Sequence, residues 1–239
     1  MPEIGEPNTM QRNSFSKIGM RRDENTADRL NQLAGNREIQ DGIKYVDSKK
    51  HNKMGKDEFL KLSTKTIEKG LIIVNTGKGK GKTTAAFGMI FRALGNKMNV
   101  AVVQFVKGQW LSGERAALEK FQDQVEIYKM GEGFTWETQD RMRDIEAAKN
   151  AWEKSKELIF DEKNQIVLLD ELNIVLRYDY LSLDEVLETL KNKPEKTHVI
   201  ITGRNAKEEL LEIADLVTNM DLIKHPFRRG VKAQLGIEF

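Results

Sequence analysis

Short runs of apolar residues recur along the chain from about Glu58 onward, separated by amphipathic or polar stretches. Each run is rich in β-branched residues, and turn residues or polar side chains bound most of them. These features predict buried β-strands. In chain order the six runs are GLIIVNTG, NVAVVQFV, QVEIYKM, QIVLLDE, THVIITG and ADLVTNMDLI.

The stretches between these runs carry the helical period. KTTAAFGMIFRALG follows the first strand and is predicted to end at Gly95, since glycine commonly terminates helices. A long helix is predicted over residues 137–163, with apolar residues recurring at about the helical spacing. These residues are Met142, Ile145, Trp152 and Ile159, and we expect Trp152 to serve packing alone. Shorter helices are predicted in GERAALEKF, SLDEVLETLKN and AKEELLEIA.

Alternation of near-continuous apolar strands with amphipathic helices predicts an α/β fold with a mostly parallel sheet covered by helices on both faces. We assign this domain to residues 57–239. Residues 1–56 are polar and poor in aliphatic side chains, so they cannot bury enough surface to offset their chain entropy. We predict a flexible extension there, and the alternative is an arm that orders on a partner or a second subunit.

Composition narrows the functional classes. The chain has 239 residues and a formal net charge of +2, which gives no general attraction to nucleic acid or acidic membranes. It has no cysteine, which excludes disulfides, thiolate metal sites and a cysteine nucleophile. No apolar run is long enough to span a bilayer, and no secretory signal is visible. We therefore expect a cytoplasmic protein that binds neither membrane nor nucleic acid.

The segment NTGKGKGKTTAAFG, between the first strand and the first helix, is the context in which a phosphate-binding P-loop occurs. It is one residue shorter than the standard pattern, because Thr76 stands where the first glycine is expected. Glycines let the backbone turn its N–H groups toward phosphate, and the helix N-terminus adds partial positive charge. The predicted phosphate-binding residues are Gly77, Lys78, Gly79, Lys80, Gly81, Lys82, Thr83 and Thr84.

Within this loop Lys82 is placed to reach phosphate oxygens, and the Thr83 hydroxyl is placed to meet Mg²⁺. The alternative is a lysine-rich surface turn. The run IVLLDEL places Asp170 and Glu171 at the carboxyl end of a buried strand, where ligands bind in parallel α/β sheets. One of these acids would complete an oxygen-rich magnesium site. They could also be an acid pair that favours a helix N-terminus, and spacing alone does not say which acid binds the metal.

Two further regions carry candidate chemistry. MGEGFTWETQD holds Phe134 and Trp136 in a glycine-flanked loop, which suits a large flat ligand. The alternative is a loop that folds back into the core. Arg204 follows the fifth strand at the same sheet edge, where arginine commonly meets an anion or forms a surface ion pair. His225 lies in the basic C-terminal segment KHPFRRGVK, which could contact phosphate.

Taken together, several blocks resemble the P-loop-type ATP:corrinoid adenosyltransferases. They occur in order from about residue 58 to the C-terminus and include TGKGKGKTTAAFG, GFTWETQD, VLLDELN, YDYLSLDEV, VIITGRNA and KHPFRRGVKAQLGIEF. The resemblance implies a homodimer of RecA-like P-loop domains. It also implies transfer of the 5′-deoxyadenosyl group of ATP to the cobalt(I) of a corrinoid, with triphosphate as the leaving group.

Roles for single residues also follow from this resemblance. Residues 77–83 would cradle the triphosphate, and Thr83 and Glu171 would serve Mg²⁺ or Mn²⁺. Phe134 and Trp136 would press on the corrin face and displace the lower ligand of cobalt, which eases its reduction. The predicted catalytic residues are thus Lys82, Phe134 and Trp136, and an electron-donating flavoprotein reductase is the expected partner.

Two other functions fit a P-loop domain. One is a kinase or ATPase acting on another small substrate, which would release ADP or phosphate in place of triphosphate. The other is a nucleotide-dependent nucleic-acid module, which would need a basic, aromatic-bearing surface. The near-neutral net charge disfavours the second.

Overall fold

A computed structural model describes residues 67–106, 113–131 and 140–237, which belong to one compact unit, Ile67–Phe239. The predicted extension over residues 1–56, its boundary at residue 57 and the Phe134–Trp136 loop lie outside the described residues. The extension and its boundary therefore stay predictions.

Six parallel strands form the centre of the molecule, and all six occur in the predicted apolar runs. They are β1 (Ile72–Thr76), β2 (Val100–Gln104), β3 (Val125–Lys129), β4 (Ile166–Asp170), β5 (His198–Thr202) and β6 (Leu216–Asn219). Their order across the sheet is β3-β2-β4-β5-β1-β6, and every neighbouring pair is parallel. The phosphate-loop strand β1 therefore lies between the last two strands of the chain.

Helices cover both faces of this sheet. They are α1 (Lys82–Gly95), α2 (Gly113–Leu118), α3 (Arg141–Phe160), α4 (Leu172–Arg177), α5 (Leu183–Lys191) and α6 (Glu208–Ile213). Helices α1 and α2 pack with Ile73, Val102 and Leu168 on one face. Helices α3 to α6 pack with Val74, Val103 and Leu169 on the other. Successive strand residues point to opposite faces, so two buried faces require the near-continuous apolar strands seen in the sequence. The predicted α/β fold is confirmed.

Helix ends follow local hydrogen bonding. Helix α1 ends at Gly95, as predicted. The long helix α3 ends at Phe160, three residues before the predicted end, because Asp161 adopts an extended conformation. The Asn164 side chain then donates to the Leu158 carbonyl at 3.1 Å and so satisfies a group that the helix end would leave unpaired.

Core positions in α3 were predicted only in part. Trp152 is 1% exposed, and its Nε1–H donates to Glu185 at 3.1 Å, which confirms a packing role. Met142, predicted on the same apolar stripe, is 74% exposed. Met142 lies in the first turn of α3. The helical period shows which side of a helix is apolar, but it does not show at which residue the helix begins to pack against the sheet. None of the helices in the described ranges is both long and apolar enough to cross a bilayer.

Candidate active site

Polar side chains lie at the last or next-to-last position of four neighbouring strands, at the carboxyl edge of the sheet. The strand register pairs Gln104 on β2 with Asp170 on β4, and Asn75 on β1 with Thr202 on β5. Strands β4 and β5 are themselves neighbours. We call Gln104, Asp170, Thr202 and Asn75 the polar row, and each is at most 4% exposed. Buried polar groups of this kind are retained only where they are hydrogen-bonded.

Asp170 is the centre of the polar row. Its Oδ1 accepts hydrogen bonds from the Thr83 hydroxyl at 2.9 Å and from the Thr202 hydroxyl at 2.8 Å. Its Oδ2 accepts from the Gln104 amide at 3.2 Å. These three hydrogen bonds hold the Asp170 carboxyl group in one orientation. The structure thus brings Thr83 of the phosphate loop together with Asp170 of the acid pair.

The phosphate loop connects β1 to α1 in a glycine-dependent conformation. Gly77 and Gly81 have φ of 101° and 102°, a region that residues with a side chain rarely adopt. Asn75 donates to the Lys82 carbonyl at 3.3 Å and so ties the end of β1 to the first turn of α1. The loop therefore has the strand–turn–helix geometry that phosphate binding requires.

The first half of the loop is held by the chain after β6. The Gly79 N–H donates to the Met220 carbonyl at 2.6 Å. A Cβ atom on Gly77 would lie 2.4 Å from the Met220 carbonyl oxygen, and one on Gly79 would lie 2.6 Å from the Asp221 carbonyl oxygen. The Gly79 N–H is therefore already engaged within the protein in this conformation.

Lys82 is a buried cation, 6% exposed, whose Nζ donates to the Gly79 carbonyl at 2.5 Å. Burial lowers the pKa of its ammonium group below the ordinary value, while the nearby Glu171 carboxylate raises this pKa and the Arg204 charge lowers it. A lysine desolvated in this way favours an arriving anion, because the anion would restore the stability of its charged form.

Glu171 and Arg204 lie close to this lysine. Glu171 directly follows Asp170 and has a left-handed backbone with φ of 64°. Gly203, with φ of 127°, brings the end of β5 against it, since a Cβ atom there would lie 3.1 Å from the Glu171 Oε2 atom. Arg204 is exposed and is electrostatically coupled to Lys82, so it lies near the predicted site.

The remaining predicted phosphate ligands are exposed side chains or lie in the C-terminal segment. Lys78, Lys80 and Thr84 are exposed. His225 precedes a short 3₁₀ turn, Pro226–Arg229, where its Nδ1 accepts from the Phe227 N–H at 3.2 Å. That ring nitrogen is used within the C-terminal turn and is not free to meet phosphate in this conformation.

Divalent metal fits this donor set only together with a nucleotide. Within the described ranges no cluster of three or more His, Cys, Asp or Glu side chains is present. The hydroxyl of Thr83 and the carboxylate of Asp170 are oxygen donors of the kind that Mg²⁺ prefers, and nucleotide phosphates commonly supply further oxygens. The residues therefore fit a magnesium–nucleotide site, and Asp170 is the acid in contact with Thr83.

Sequence reasoning missed Gln104, Thr202, Asn75 and Asn173. Asn75 and Thr202 are polar residues at the ends of apolar runs, and Gln104 is a polar residue inside the run NVAVVQFV, so all three were visible signals. Their convergence depends on strand order, which the sequence does not display. Asn173 is fully buried on α4 and donates to the Gly203 carbonyl at 3.1 Å, so it supports the turn before Arg204.

Comparisons with known proteins identify the family of this chain. The sequence model of the family described as ATP:corrinoid adenosyltransferase BtuR/CobO/CobP matches residues 68–239. A corrinoid adenosyltransferase from Sinorhizobium sp is 65% identical over 180 residues, covering 74% of this chain and 84% of that protein. Those from Pseudomonas aeruginosa and Escherichia coli K12 are each 49% identical, over 75% and 72% of this chain and 88% and 87% of their own lengths. With a match that spans the whole sheet and its phosphate loop, this chain belongs to the ATP:corrinoid adenosyltransferase family.

Proposed function

We propose that this chain transfers the adenosyl group of ATP to the cobalt of a corrinoid, in the synthesis of adenosylcobalamin. The observation that carries the proposal is the family match over residues 68–239. The described site supports it, because a buried lysine and a glycine-rich loop are suited to a polyphosphate. In the proposed reaction cobalt(I) gives its electron pair to C5′ of ATP, and the C5′–O bond breaks so that triphosphate leaves with that bonding pair.

The protein's task in this reaction is to position and neutralise the leaving triphosphate, since cobalt(I) is itself the nucleophile. Lys82 would bind phosphate oxygens with its ammonium group, and the backbone of residues 81–83 would add N–H donors. Arg204, electrostatically coupled to Lys82, would add positive charge at the same edge of the sheet. Gly77 and Gly79 would act through the shape of the loop, because they pack against residues 219–221.

A magnesium or manganese ion would be held by Thr83, with Asp170 beside it and Glu171 next in the chain. When bound, the ion would neutralise charge that develops on the triphosphate as it leaves. Asp170 is better placed than Glu171 for this role, because its carboxylate already accepts from the Thr83 hydroxyl at 2.9 Å. Glu171 remains the alternative ligand and sets the charge around Lys82.

Phe134 and Trp136 are proposed to contact the corrin face and to displace the lower ligand of cobalt. The proposal rests on their resemblance to the family motif, because both residues lie outside the described residues. Trp136→Ala should slow turnover with oxidised corrinoid far more than with corrinoid already reduced to cobalt(I). Equal losses in the two assays would contradict this role.

The proposed partners follow from the chemistry. Reduction of the corrinoid requires an electron donor, for which we propose a flavoprotein reductase. We also propose a homodimer and a cytoplasmic location. The dimer is supported by exposed apolar side chains on β6 and in the C-terminal segment, among them Leu216, Val217 and Phe227.

One assay tests the central proposal. The chain is incubated with ATP, Mg²⁺ and reduced corrinoid, and the visible spectrum is followed for a light-sensitive cobalt–carbon bond. We expect one triphosphate for each corrinoid converted. Lys82→Ala should lower the rate by about 10²-fold or more, as is typical when a preorganised donor is removed. Lys191→Ala, at the exposed end of α5, is the matched control. Release of ADP or phosphate in place of triphosphate would favour a kinase or ATPase.

A further inference from the structure

Thr202 is the last residue of β5 and lies between the strand that carries Asp170 and the strand that leads into the phosphate loop. It is fully buried. Its hydroxyl donates to the Asp170 Oδ1 atom at 2.8 Å and accepts from the Glu171 N–H at 2.9 Å. One side chain thus contacts both members of the acid pair.

These two contacts fix the direction of the hydroxyl. The Glu171 N–H can only donate, so it occupies an acceptor position of the Thr202 oxygen. The single hydroxyl hydrogen is then directed to Asp170. The bond from the Glu171 N–H holds the left-handed backbone of Glu171, which has a φ of 64°. The bond from the Thr202 hydroxyl holds the Asp170 carboxylate.

The Asp170 Oδ1 atom also accepts from the Thr83 hydroxyl. The Thr83 hydroxyl donates its hydrogen to Asp170 and keeps its oxygen lone pairs for a metal ion, so the orientation of Asp170 and that of the Thr83 hydroxyl are linked. The Thr202 hydroxyl and the Gln104 amide hold the same carboxylate from the two strands that flank β4. Of these two donors, Thr202 is the one that also contacts Glu171.

We propose that Thr202 is a positioning residue that orients Asp170 and Glu171 together for the metal–triphosphate group. The inference rests on the proposed function of this site, and it assigns no contact between Thr202 and substrate. Residues that orient metal ligands typically affect metal affinity by 10- to 100-fold when they are replaced.

The test compares Thr202→Val, which keeps the shape but removes the hydroxyl, with Thr202→Ser, which keeps the hydroxyl. Thr189→Val is the matched control, since Thr189 is also buried and its hydroxyl donates to the Glu185 carbonyl at 2.9 Å, within α5. Two quantities are measured. They are the amide hydrogen exchange of Glu171 in the nucleotide-free protein and the Mg²⁺ concentration for half-maximal turnover.

For Thr202→Val we expect Glu171 exchange to be about tenfold faster or more, and the half-saturating Mg²⁺ concentration to rise by about tenfold or more. Turnover at saturating Mg²⁺ should change much less. Thr202→Ser and Thr189→Val should resemble the unaltered chain in both measurements. If Thr202→Val does not fold, Thr202→Ala takes its place with the same expectations.

Unchanged exchange or unchanged Mg²⁺ dependence in Thr202→Val would overturn the inference. Equal shifts in Thr202→Ser and Thr202→Val would also overturn it, because the hydroxyl would then not be the cause. Failure of the proposed function has a separate signature, since the unaltered chain would then form no adenosylated corrinoid at any Mg²⁺ concentration.

Discussion

Glu171 has a left-handed backbone conformation, with φ of 64° and ψ of 22°, immediately after the buried Asp170. Glutamate has a Cβ atom that disfavours this region, so the conformation costs of order 1 kcal/mol. The surrounding contacts hold it there, including the N–H bond to Thr202. We propose that this strained acid beside a buried lysine serves the function of the site at a cost in stability.

This strain gives a prediction at the scale of one residue. Glu171→Gly should raise the free energy of unfolding by about 1 kcal/mol, because glycine adopts this conformation freely. It should also lower adenosyl transfer, because the carboxylate near Lys82 is lost. Chemical denaturation and the cobalt–carbon assay measure the two effects.

Lys97 is the matched control for Glu171. It is exposed, has φ of 59° and lies just after α1. Lys97→Gly should give a similar gain in stability with activity unchanged. A loss of activity in both variants, or a loss of stability in Glu171→Gly, would contradict the assignment.

Among the elements, β6 and the residues after it support the phosphate loop. The Met220 N–H donates to the Thr76 carbonyl at 2.8 Å, and the Met220 carbonyl accepts from Gly79. The loop is one residue shorter than the standard pattern, and this support from β6 explains how a short loop keeps its shape. The Gly79 N–H in its first half is bonded to the neighbouring segment, and we propose that its second half binds phosphate.

Gly77→Ala tests this arrangement of elements. The new methyl group would lie 2.4 Å from the Met220 carbonyl oxygen, and alanine at φ of 101° is strained in addition. We expect the affinity for ATP, measured by calorimetry, to fall by about 5- to 150-fold, because backbone strain of about 1–3 kcal/mol must be relieved by moving the loop.

Gly88→Ala is the control for this substitution. Gly88 is in the interior of α1, and a methyl group there would meet nothing within 4 Å beyond the backbone of its own helix. Alanine at this position should raise stability by about 0.5–1 kcal/mol, with ATP affinity unchanged. If Gly77→Ala and the unaltered chain bind ATP with equal affinity, the idea that β6 and the residues after it hold the phosphate loop in shape is wrong.

At the amino ends of the parallel strands, His198 is the first residue of β5 and is expected to make the stability of the fold depend on pH. Its Nδ1 accepts from the Leu71 N–H at 3.1 Å, which requires an unprotonated Nδ1. Burial lowers the pKa of this imidazole below the ordinary value of 6.5, and the nearby Lys193 charge lowers it further. The neutral ring therefore stabilises the fold.

The sign of the pH dependence follows from linkage. The unfolded chain binds more protons than the folded chain when the pH lies between the lowered pKa and 6.5. The contribution of His198 is thus complete above pH 6.5 and is lost as the pH falls through the lowered pKa. His198→Asn keeps an acceptor but does not titrate, so its free energy of unfolding should depend less on pH in this window. Identical slopes in urea denaturation series would contradict the prediction.

At the scale of the whole molecule, the property to be tested is the oligomeric state, for which we propose a homodimer. Phe227 is 76% exposed in the C-terminal segment. We expect the chain to be a dimer by light scattering and Phe227→Asp to shift it toward monomer, because a charge would be buried at the contact. Met142→Asp is the control, since Met142 is 74% exposed on α3. If light scattering shows that the unaltered chain is a monomer, the proposed homodimer is wrong.

Most of the fold could be predicted from the sequence, because strands buried on two faces leave near-continuous apolar runs. The phosphate loop was equally visible, because its glycines and lysines lie within a few residues of one another. Strand order was not visible, so the convergence of Asp170, Thr202 and Gln104 was not predicted. The proposal that Asp170, and not Glu171, lies beside the metal also depends on that convergence, because the contact between the Thr83 hydroxyl and Asp170 is seen only in the structure.

The position of β1 between β5 and β6 has a consequence for how the protein is made. The glycine-rich loop leaves the ribosome early, yet its neighbours β5 and β6 and its support at Met220 are synthesised more than a hundred residues later. A nascent or prematurely terminated chain therefore has the nucleotide motif without its framework. Synthesis of β5 and β6, and not translation of the motif, is the event that should confer ATP binding.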